Sequence, residues 1–187
     1  MRIIAGTRKG RRLVSPTWPG VRPTSDRLRE TLFNILAPRI EGARVADGFA
    51  GTGAVGLEAL SRGAAQVVFI EQDRRAVALI ERNSAACRME GRYTIECGDV
   101  AAVLRRRATT FDLILLDPPY DQPDVPGVLM AAADRVNAGG LVVLEHATRR
   151  GVDGPARLQR LRVVRAGDSS LTFFVPHAGA EHLPEPR

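Results

Sequence analysis

Apolar residues recur along this chain with two spacings, which predict strands and helices respectively. Short apolar runs, of which Phe111–Leu116 is the clearest, predict strands buried on both faces of a parallel sheet. Apolar side chains at positions 28, 32, 35 and 36 follow a helical spacing instead. They predict an amphipathic helix over residues 25–37 that begins at capping residues and is ended by Pro38.

From residue 43 onward the predicted strands and helices alternate. The predicted strands cover residues 45–47, 66–71, 93–97, 111–117, 141–145, 161–165 and 171–175. The predicted helices cover residues 55–62, 74–89, 100–107 and 125–136. This alternation predicts an α/β fold, with a parallel sheet covered by helices on both faces. The last two strands are expected to form an antiparallel pair.

The first residues predict a small extension of that domain. Arg2–Ala5 and Arg12–Val14 flank a glycine-containing turn and predict a basic β-hairpin. A proline-rich connector follows over residues 15–23. We therefore divide the chain into a hairpin and linker over residues 1–24, a catalytic domain over 25–176 and a loose tail over 177–187.

Length and composition favour one cytoplasmic domain. The 187 residues, 44% of them apolar, can support a single packed core. Cys87 and Cys97 lack the spacing of a metal site and are expected to be free thiols of a reducing compartment. The start of the sequence does not resemble a secretory signal, and no apolar run is long enough to predict a membrane span.

Positive charge is concentrated at the start of the chain. Residues 1–30 contain eight basic and two acidic residues, whereas the other 157 residues contain 19 of each. This excess predicts a segment that binds a polyanion such as RNA, although a solvated surface without a partner is the alternative. The candidate RNA-binding residues are Arg2, Arg8, Lys9, Arg11, Arg12, Arg22 and Arg27.

The tetrapeptide Asp117-Pro118-Pro119-Tyr120 follows the clearest predicted strand. Ligands of open α/β sheets bind just beyond the carboxyl ends of the strands. A carboxylate, an outward-facing proline carbonyl and an aromatic ring there suit a planar substrate that bears an amino group, such as a nucleobase. Alternatively, the prolines simply end the strand and open a loop.

Three more acids, Asp47, Glu71 and Asp99, lie at the ends of the first three predicted strands. The first is followed by a glycine-rich turn, Gly48–Gly53, that opens a helix. An acid in the position of Glu71 commonly accepts hydrogen bonds from ribose hydroxyls, and Asp99 can accept one from an adenine amino group. Each acid could instead be a helix cap, and Asp99 is the best candidate for one.

These motifs, together with residues 2–6, 22–27, 29–34 and 49–63, resemble the RsmD family of class I methyltransferases. The resemblance implies a Rossmann-like, seven-stranded and mostly parallel sheet. It also implies methyl transfer from S-adenosylmethionine, without a metal, to N2 of one guanine in small-subunit ribosomal RNA. The implied partner is an assembled or partly assembled ribosomal subunit, and the protein is expected to be a monomer.

The resemblance also implies roles for individual residues. The implied catalytic residues are Asp117, Pro118, Pro119 and Tyr120. The implied cofactor-binding residues are Asp47, Gly48, Phe49, Ala50, Gly51, Gly53, Glu71, Gln72, Gly98, Asp99 and Val100.

Other classes of protein remain as alternatives at this stage. A DNA amino-methyltransferase acting on adenine N6 or cytosine N4 would use the same pocket but normally carries a target-recognition domain. A protein glutamine methyltransferase would not need so basic a segment. A nicotinamide-dependent oxidoreductase and a non-catalytic RNA-binding module are the remaining two.

Overall fold

Strands and helices alternate in the computed structural model, which describes residues 1–18 and 26–177. The described strands are β1 Arg44–Gly48, β2 Gln66–Glu71, β3 Tyr93–Cys97, β4 Phe111–Leu116, β5 Val136–Ala147, β6 Leu158–Ala166 and β7 Ser169–Pro176. The described helices are α1 Asp26–Ile40, α2 Ala54–Ser61, α3 Arg74–Cys87, α4 Val100–Arg106 and α5 Val125–Ala133. None of these helices is long and apolar enough to cross a membrane.

The seven described strands form one mixed sheet in the order β3-β2-β1-β4-β5-β7-β6. Strands β1 to β5 are parallel, whereas β7 runs antiparallel to β5 and β6. The predicted α/β class, with its antiparallel C-terminal strand, is confirmed. Because the strand order reverses between β1 and β4, the crevice at their carboxyl ends is the expected ligand site.

Helices pack on both faces of the sheet and create two apolar cores. Helices α1 to α3 enclose one core, and α4 and α5 enclose the other. Successive residues of β4 alternate between them, since Leu113 and Leu115 belong to the first core and Ile114 and Leu116 to the second. The prediction that this strand is buried on both faces is confirmed. The sheet holds the β4 carboxyl end, and so Asp117, in a fixed position.

Several predicted element boundaries differ from the structure, and two of these differences have a clear physical reason. Pro38 lies inside α1, which continues to Ile40. The carbonyl that loses its hydrogen-bond donor to Pro38 is that of Asn34, an exposed residue, so water can replace the missing N–H. Val136 begins β5 instead of ending α5, because it pairs with Phe111 before an irregularity shifts the register of the two strands.

The N-terminal segment, residues 1–18, is docked on the body of the domain. Its predicted hairpin pairs through one bridge between Arg2 and Arg12. Backbone hydrogen bonds also run from the Ile3 N–H to the Arg11 carbonyl, from the Gly10 N–H to the Ile3 carbonyl and from the Leu13 N–H to the Met1 carbonyl. The pairing does not extend over the whole of the predicted strands. The reason is that the N–H groups of Ile4 and Ala5 donate to the carboxylate of Glu58, at 2.7 and 2.9 Å. These N–H groups cannot also pair with a neighbouring strand.

Apolar and polar contacts both hold the N-terminal segment in place. The side chains of Ile3 and Leu13 are buried in the core beneath α1 to α3. The Val14 N–H donates to the side chain of Asn83 on α3, at 2.8 Å. The predicted connector continues into residues 19–25, which lie outside the described residues, as does the predicted tail beyond His177.

Candidate active site

A cavity of about 600 Å³ lies at the carboxyl ends of the parallel strands, where the strand order reverses. Ten of the residues assigned from the sequence line it: Asp47, Phe49, Ala50, Gly51, Glu71, Gln72, Asp117, Pro118, Pro119 and Tyr120. Parallel strands end at one edge of the sheet, which is why residues far apart in the sequence meet here.

Asp47 is a buried carboxyl at the end of β1, only 3% exposed. Its Oδ2 accepts a hydrogen bond from the Gly56 N–H in the first turn of α2, at 2.8 Å. The pKa of Asp47 is raised to about 8, and burial is the largest cause. The charges of Asp117 and Glu71 also raise this pKa, whereas the hydrogen bond from the Gly56 N–H lowers it. A positively charged ligand group near Asp47 would favour its ionised form.

Glu71 holds the glycine-rich turn against the end of β2. One of its carboxylate oxygens accepts from the Gly51 N–H and the other from the Asp73 N–H, both at 2.9 Å. Each carboxylate oxygen has a second lone pair available for a ligand hydroxyl. Because the residue is half-buried and lines the cavity, its position suits the predicted contact with a ribose.

Two glycines of this turn serve the packing of the turn instead of lining the cavity. Gly53 has a φ of +75°, a conformation that strains residues with a side chain. At Gly48, a Cβ atom would lie 2.7 Å from the side chain of Leu116. Both residues were predicted to bind the cofactor, but neither is part of the described cavity wall.

The predicted adenine-binding residues also lie outside the described wall of the cavity. They are Gly98, Asp99 and Val100. The Asp99 carboxylate accepts from the Ala102 N–H at 2.8 Å and caps α4. The structure therefore shows the capping role that the sequence left open, and the predicted contact with adenine stays a prediction.

Residues 117–120 lead from β4 into a turn, and they present Asp117 and Tyr120 to the cavity. The Gln122 N–H donates to the Pro119 carbonyl at 2.9 Å and closes this turn over residues 119–122. The Tyr120 hydroxyl lies 3.0 Å from Ser169 Oγ at the start of β7, so a hydrogen bond orients the ring. Tyr120 is 38% exposed, which leaves part of its ring accessible to a ligand.

Several cavity residues were missed by the sequence reasoning. Glu145, on β5, is 8% exposed and lies close to Asp117, because β4 and β5 pair in register through Leu116 and Leu144. The signal was available, since an acid also follows the apolar run of this strand. Trp18 and Ser169 also line the cavity, and no local pattern identifies either of them.

The cavity is strongly acidic. Seven carboxyl side chains are found in its described wall: Asp47, Glu71, Asp73, Asp117, Asp121, Glu145 and Asp168. The only basic residue in that described wall is Arg75, whose guanidinium forms an ion pair with Asp73 at 2.7 Å. This distribution favours a cationic ligand and opposes one that carries phosphate groups.

The predicted RNA-binding residues fall into two groups. Arg2, Lys9, Arg11, Arg12 and Arg27 are exposed. The Arg8 guanidinium instead donates to the carbonyls of Cys87 and Arg88 at the end of α3, at 2.7 and 3.3 Å. Arg8 thus helps dock the N-terminal segment, and Arg22 lies outside the described residues.

The cysteines and other potential metal ligands do not converge in the described ranges. Cys87 is buried and Cys97 is exposed, and neither forms a disulfide. Burial raises the pKa of Cys87, although Arg11 and Arg8 lower it. No cluster of three or more potential metal ligands occurs within residues 1–18 and 26–177.

The fold and the strand-end site define a Rossmann-like methyltransferase. A solved structure of the Escherichia coli protein yhhF, named as a proposed methyltransferase, matches 96% of this chain and 99% of its own. The TM-score is 0.84 and the sequences are 34% identical. The strand-end acids and the Asp117–Tyr120 turn therefore lie in a fold that this chain shares with Rossmann-like methyltransferases.

The family model described as conserved hypothetical protein 95 matches residues 1–175, and the chain belongs to this family, the RsmD family. A Bacillus subtilis relative, YlbH, named as a proposed rRNA methyltransferase, is 32% identical over 92% of this chain and 95% of its own length. The ribosomal RNA small subunit methyltransferase D of Escherichia coli is 44% identical over 64% of this chain. That alignment spans 60% of the relative's length.

Proposed function

We propose that the protein transfers a methyl group from S-adenosylmethionine to the exocyclic N2 of a guanine in small-subunit ribosomal RNA. The acidic cavity at the strand ends is the observation that carries this proposal. The names of the relatives support an rRNA substrate, and the Asp117–Tyr120 turn supports an amino nitrogen as the acceptor. In this proposal residues 25–176 catalyse the reaction, and residues 1–24 form an RNA-binding extension.

The cavity suits S-adenosylmethionine in charge and in the groups that it offers. The cofactor carries an ammonium and a sulfonium group, and the carboxyl side chains of the described wall outnumber the basic ones seven to one. Asp47 and the turn at Gly51 would hold the amino-acid end, and Glu71 would accept the ribose hydroxyls. When bound, the cofactor supplies a methyl group already activated by its positively charged sulfur, so no metal or covalent step is required.

The remaining task of the protein is to orient the acceptor nitrogen. The lone pair of guanine N2 is delocalised into the ring, which makes N2 a poor nucleophile. In our proposal the Asp117 carboxylate and the Pro118 carbonyl accept the two amino hydrogens and thereby aim the lone pair at the methyl group. The same two acceptors stabilise the positive charge that develops on the nitrogen. The bond between sulfur and the methyl carbon breaks as the new C–N bond forms, S-adenosylhomocysteine is the leaving group, and one proton of the methylated nitrogen passes to Asp117 or to water.

Tyr120 would bind the target base by stacking. Such a contact contributes about 1–3 kcal/mol per base, and its orientation here depends on the hydrogen bond to Ser169. A base inside a duplex stack cannot enter the cavity, so the target must be unpaired or flipped. We also infer that the substrate is an assembled or partly assembled subunit, since the resemblance implies one.

The acidic wall also separates this proposal from a nicotinamide-dependent oxidoreductase. A dinucleotide would place its pyrophosphate near these strand ends, where carboxylates would repel it. A DNA amino-methyltransferase acting on adenine N6 or cytosine N4 is the second candidate, because the Asp-Pro-Pro-Tyr turn serves the same chemistry on those nitrogens.

Incubation with labelled S-adenosylmethionine tests the function directly. The substrates are naked small-subunit rRNA, assembled small subunits and duplex DNA, followed by digestion to nucleosides and mass spectrometry. The expected product is N2-methylguanosine from ribosomal RNA. Methylated adenine or cytosine from DNA would establish the second candidate instead, and the absence of any methylated nucleoside would contradict both.

Removal of Glu71 should weaken cofactor binding by roughly 10- to 100-fold, because the ribose hydroxyls would lose the carboxylate that accepts their hydrogen bonds. Calorimetry with S-adenosylhomocysteine measures this effect in Glu71→Ala. Because Glu71 also anchors the turn at Gly51, the 2′-deoxy analogue is the control. Wild type should prefer the natural ligand over the analogue, and Glu71→Ala should bind both equally. A preference retained in the variant would contradict the ribose assignment.

The basic residues of the N-terminal segment should provide much of the RNA affinity. Changing Lys9, Arg11 and Arg12 together to Ala should flatten the plot of log affinity against log salt by about two units. Arg8 is left intact because it docks the segment. The measurement is RNA affinity across a salt series, with cofactor affinity measured beside it.

The matched control for this variant removes the same number of positive charges, three, from the opposite edge of the sheet. Arg39, Arg44 and Arg105 are exposed and lie near that edge. Their triple change to Ala should leave the salt dependence nearly as in wild type. If both variants behave alike, net charge alone governs binding and the segment is only a solvated surface.

A further inference from the structure

A second concentration of positive charge lies near the end of the domain. Residues 149–165 contain six arginines and one aspartate, whereas residues 31–148 contain 12 basic and 15 acidic residues. The apparent neutrality of the body therefore results from a basic region that lies between two acidic ones, since residues 166–187 add one basic and three acidic residues. The acidic excess belongs to the part of the chain that provides most of the cavity wall, and the basic excess follows it directly.

Three of these arginines lie at the catalytic edge of the sheet. The Arg150 guanidinium donates to the Tyr120 carbonyl at 2.6 Å. Arg149 follows Thr148, whose N–H donates to the carbonyl of Asp168, a residue of the cavity wall, at 2.8 Å. Arg165 precedes Ala166, which also belongs to that wall. We call Arg149, Arg150 and Arg165 the rim arginines.

The rim arginines are available to a partner. All three are exposed. The side chains of Arg149 and Arg165 form no ion pair within the described ranges of the chain. By contrast, Arg157 and Arg160 near the start of β6 are paired with Asp134 and Asp153. Guanidinium groups without an ion-pair partner among the described residues are therefore found just after β5, at Arg149, and near the end of β6, at Arg165, on the sheet edge where the cavity lies.

We propose that the rim arginines bind the phosphates that flank the target nucleotide and hold them outside the acidic cavity. This inference rests on the proposed function. A target base can enter the cavity only if its own phosphates stay away from the carboxylates that line it. Guanidinium groups bind phosphate oxygens in a bidentate manner, and those of the rim lie where the strand must pass. Arg150 would have two roles, because its guanidinium would bind a phosphate and also donates to the backbone carbonyl of Tyr120.

The surface differs from the N-terminal segment in position and in role. The segment docks on α2 and α3, on the β1–β2 side of the cavity, whereas the rim belongs to the β5–β7 side. An RNA strand bound at both places would cross the opening of the cavity with its target base above Tyr120. The rim would thus position the target, and the segment would provide affinity from the other side.

The test compares Arg149→Ala/Arg165→Ala with the control Arg157→Ala/Arg160→Ala. Both variants lose two charges from the same stretch of chain, but β6 rises about 3.3 Å per residue, so Arg157 lies roughly 25 Å from Arg165. That separation exceeds the screening length of about 8 Å at physiological salt. Arg150 is left intact, so that the position of Tyr120 is not disturbed. The probe is a single-stranded small-subunit rRNA fragment titrated across a salt series.

The rim variant should flatten the salt dependence by about 1.4 units and bind the fragment about tenfold more weakly near 0.15 M salt. The control variant should stay close to wild type, and both should bind S-adenosylhomocysteine normally. Wild-type salt dependence in the rim variant would overturn the inference, and so would an equal loss in the control. Failure of the wild type to methylate ribosomal RNA, in the separate nucleoside assay, would count against the proposed function and not against the phosphate contacts.

Discussion

The variant Asp117→Ala should lose methyl transfer by at least about 100-fold while keeping its affinity for S-adenosylhomocysteine within a few-fold of wild type. The carboxylate removed is the acceptor that orients the amino group, an interaction that strengthens as charge develops on the nitrogen. Removal of one such preorganised group typically costs two to three orders of magnitude in rate. Single-turnover methylation of small-subunit rRNA, with the enzyme in excess over the RNA, measures the chemical step.

Two further variants sharpen the test of Asp117. Asp117→Asn keeps a side-chain oxygen as an acceptor and should retain more activity than the alanine variant. Asp121→Ala removes an exposed acid of the same described wall and should change the rate only slightly. If Asp117→Ala methylates nearly as fast as wild type, the lone-pair argument is wrong. If Asp121→Ala is equally slow, the effect belongs to the charge of the cavity as a whole.

The variant Glu58→Ala should destabilise the domain by about 3 kcal/mol and release the N-terminal segment. Glu58 is fully buried, accepts from the N–H groups of Ile4 and Ala5, and forms an ion pair with Arg62 at 2.7 Å. Removal of one partner of a buried ion pair leaves the other charge and the N–H donors unsatisfied. Burial also lowers the pKa of Arg29, whereas Asp26 and Glu58 raise it, so the buried Arg29 would lose part of its compensation.

Urea unfolding and limited proteolysis of the first 18 residues measure the two consequences for Glu58→Ala. Glu81→Ala, which removes an exposed glutamate from α3, is the control and should change neither. RNA affinity gives an independent check. Removal of an acid should strengthen RNA binding by charge alone, whereas release of the basic segment should weaken it. Stability and RNA affinity equal to those of wild type would contradict the docking role.

Much of the fold could be predicted because its signals are local. The apolar run of β4 and the bounds of β2 and β3 depend on residues that are neighbours in the sequence. Boundaries were wrong where pairing with a distant residue or the exposure of the backbone decided them. Val136 joined β5 because Phe111 is its partner, and α1 continued past Pro38 because the unsatisfied carbonyl belongs to an exposed turn.

The residues of the candidate site can also be divided into those that the local sequence predicts and those that it does not. Asp47, Glu71 and Asp117 were predictable, since parallel strands end at one edge and acids follow three of those strands. Asp99 shows the limit of that reasoning. It also follows a strand, but its carboxylate accepts a hydrogen bond from the first turn of α4 and is not part of the described cavity wall. Nothing local in the sequence indicates that Ser169 orients Tyr120, since the two residues are brought together only by the pairing of β5 with β7.

The sequence by itself determined the α/β class, the order of the elements and the edge at which the acids and the Asp-Pro-Pro-Tyr turn would meet. Hydrophobic periodicity and strand direction suffice for these, and both can be read from short stretches. Only the tertiary structure decided that Glu58 anchors the N-terminal segment and that exposed arginines lie at one side of an acidic cavity. Those features depend on residues more than 50 positions apart, as with Ile4 and Glu58, and on which charged side chains remain unpaired after packing.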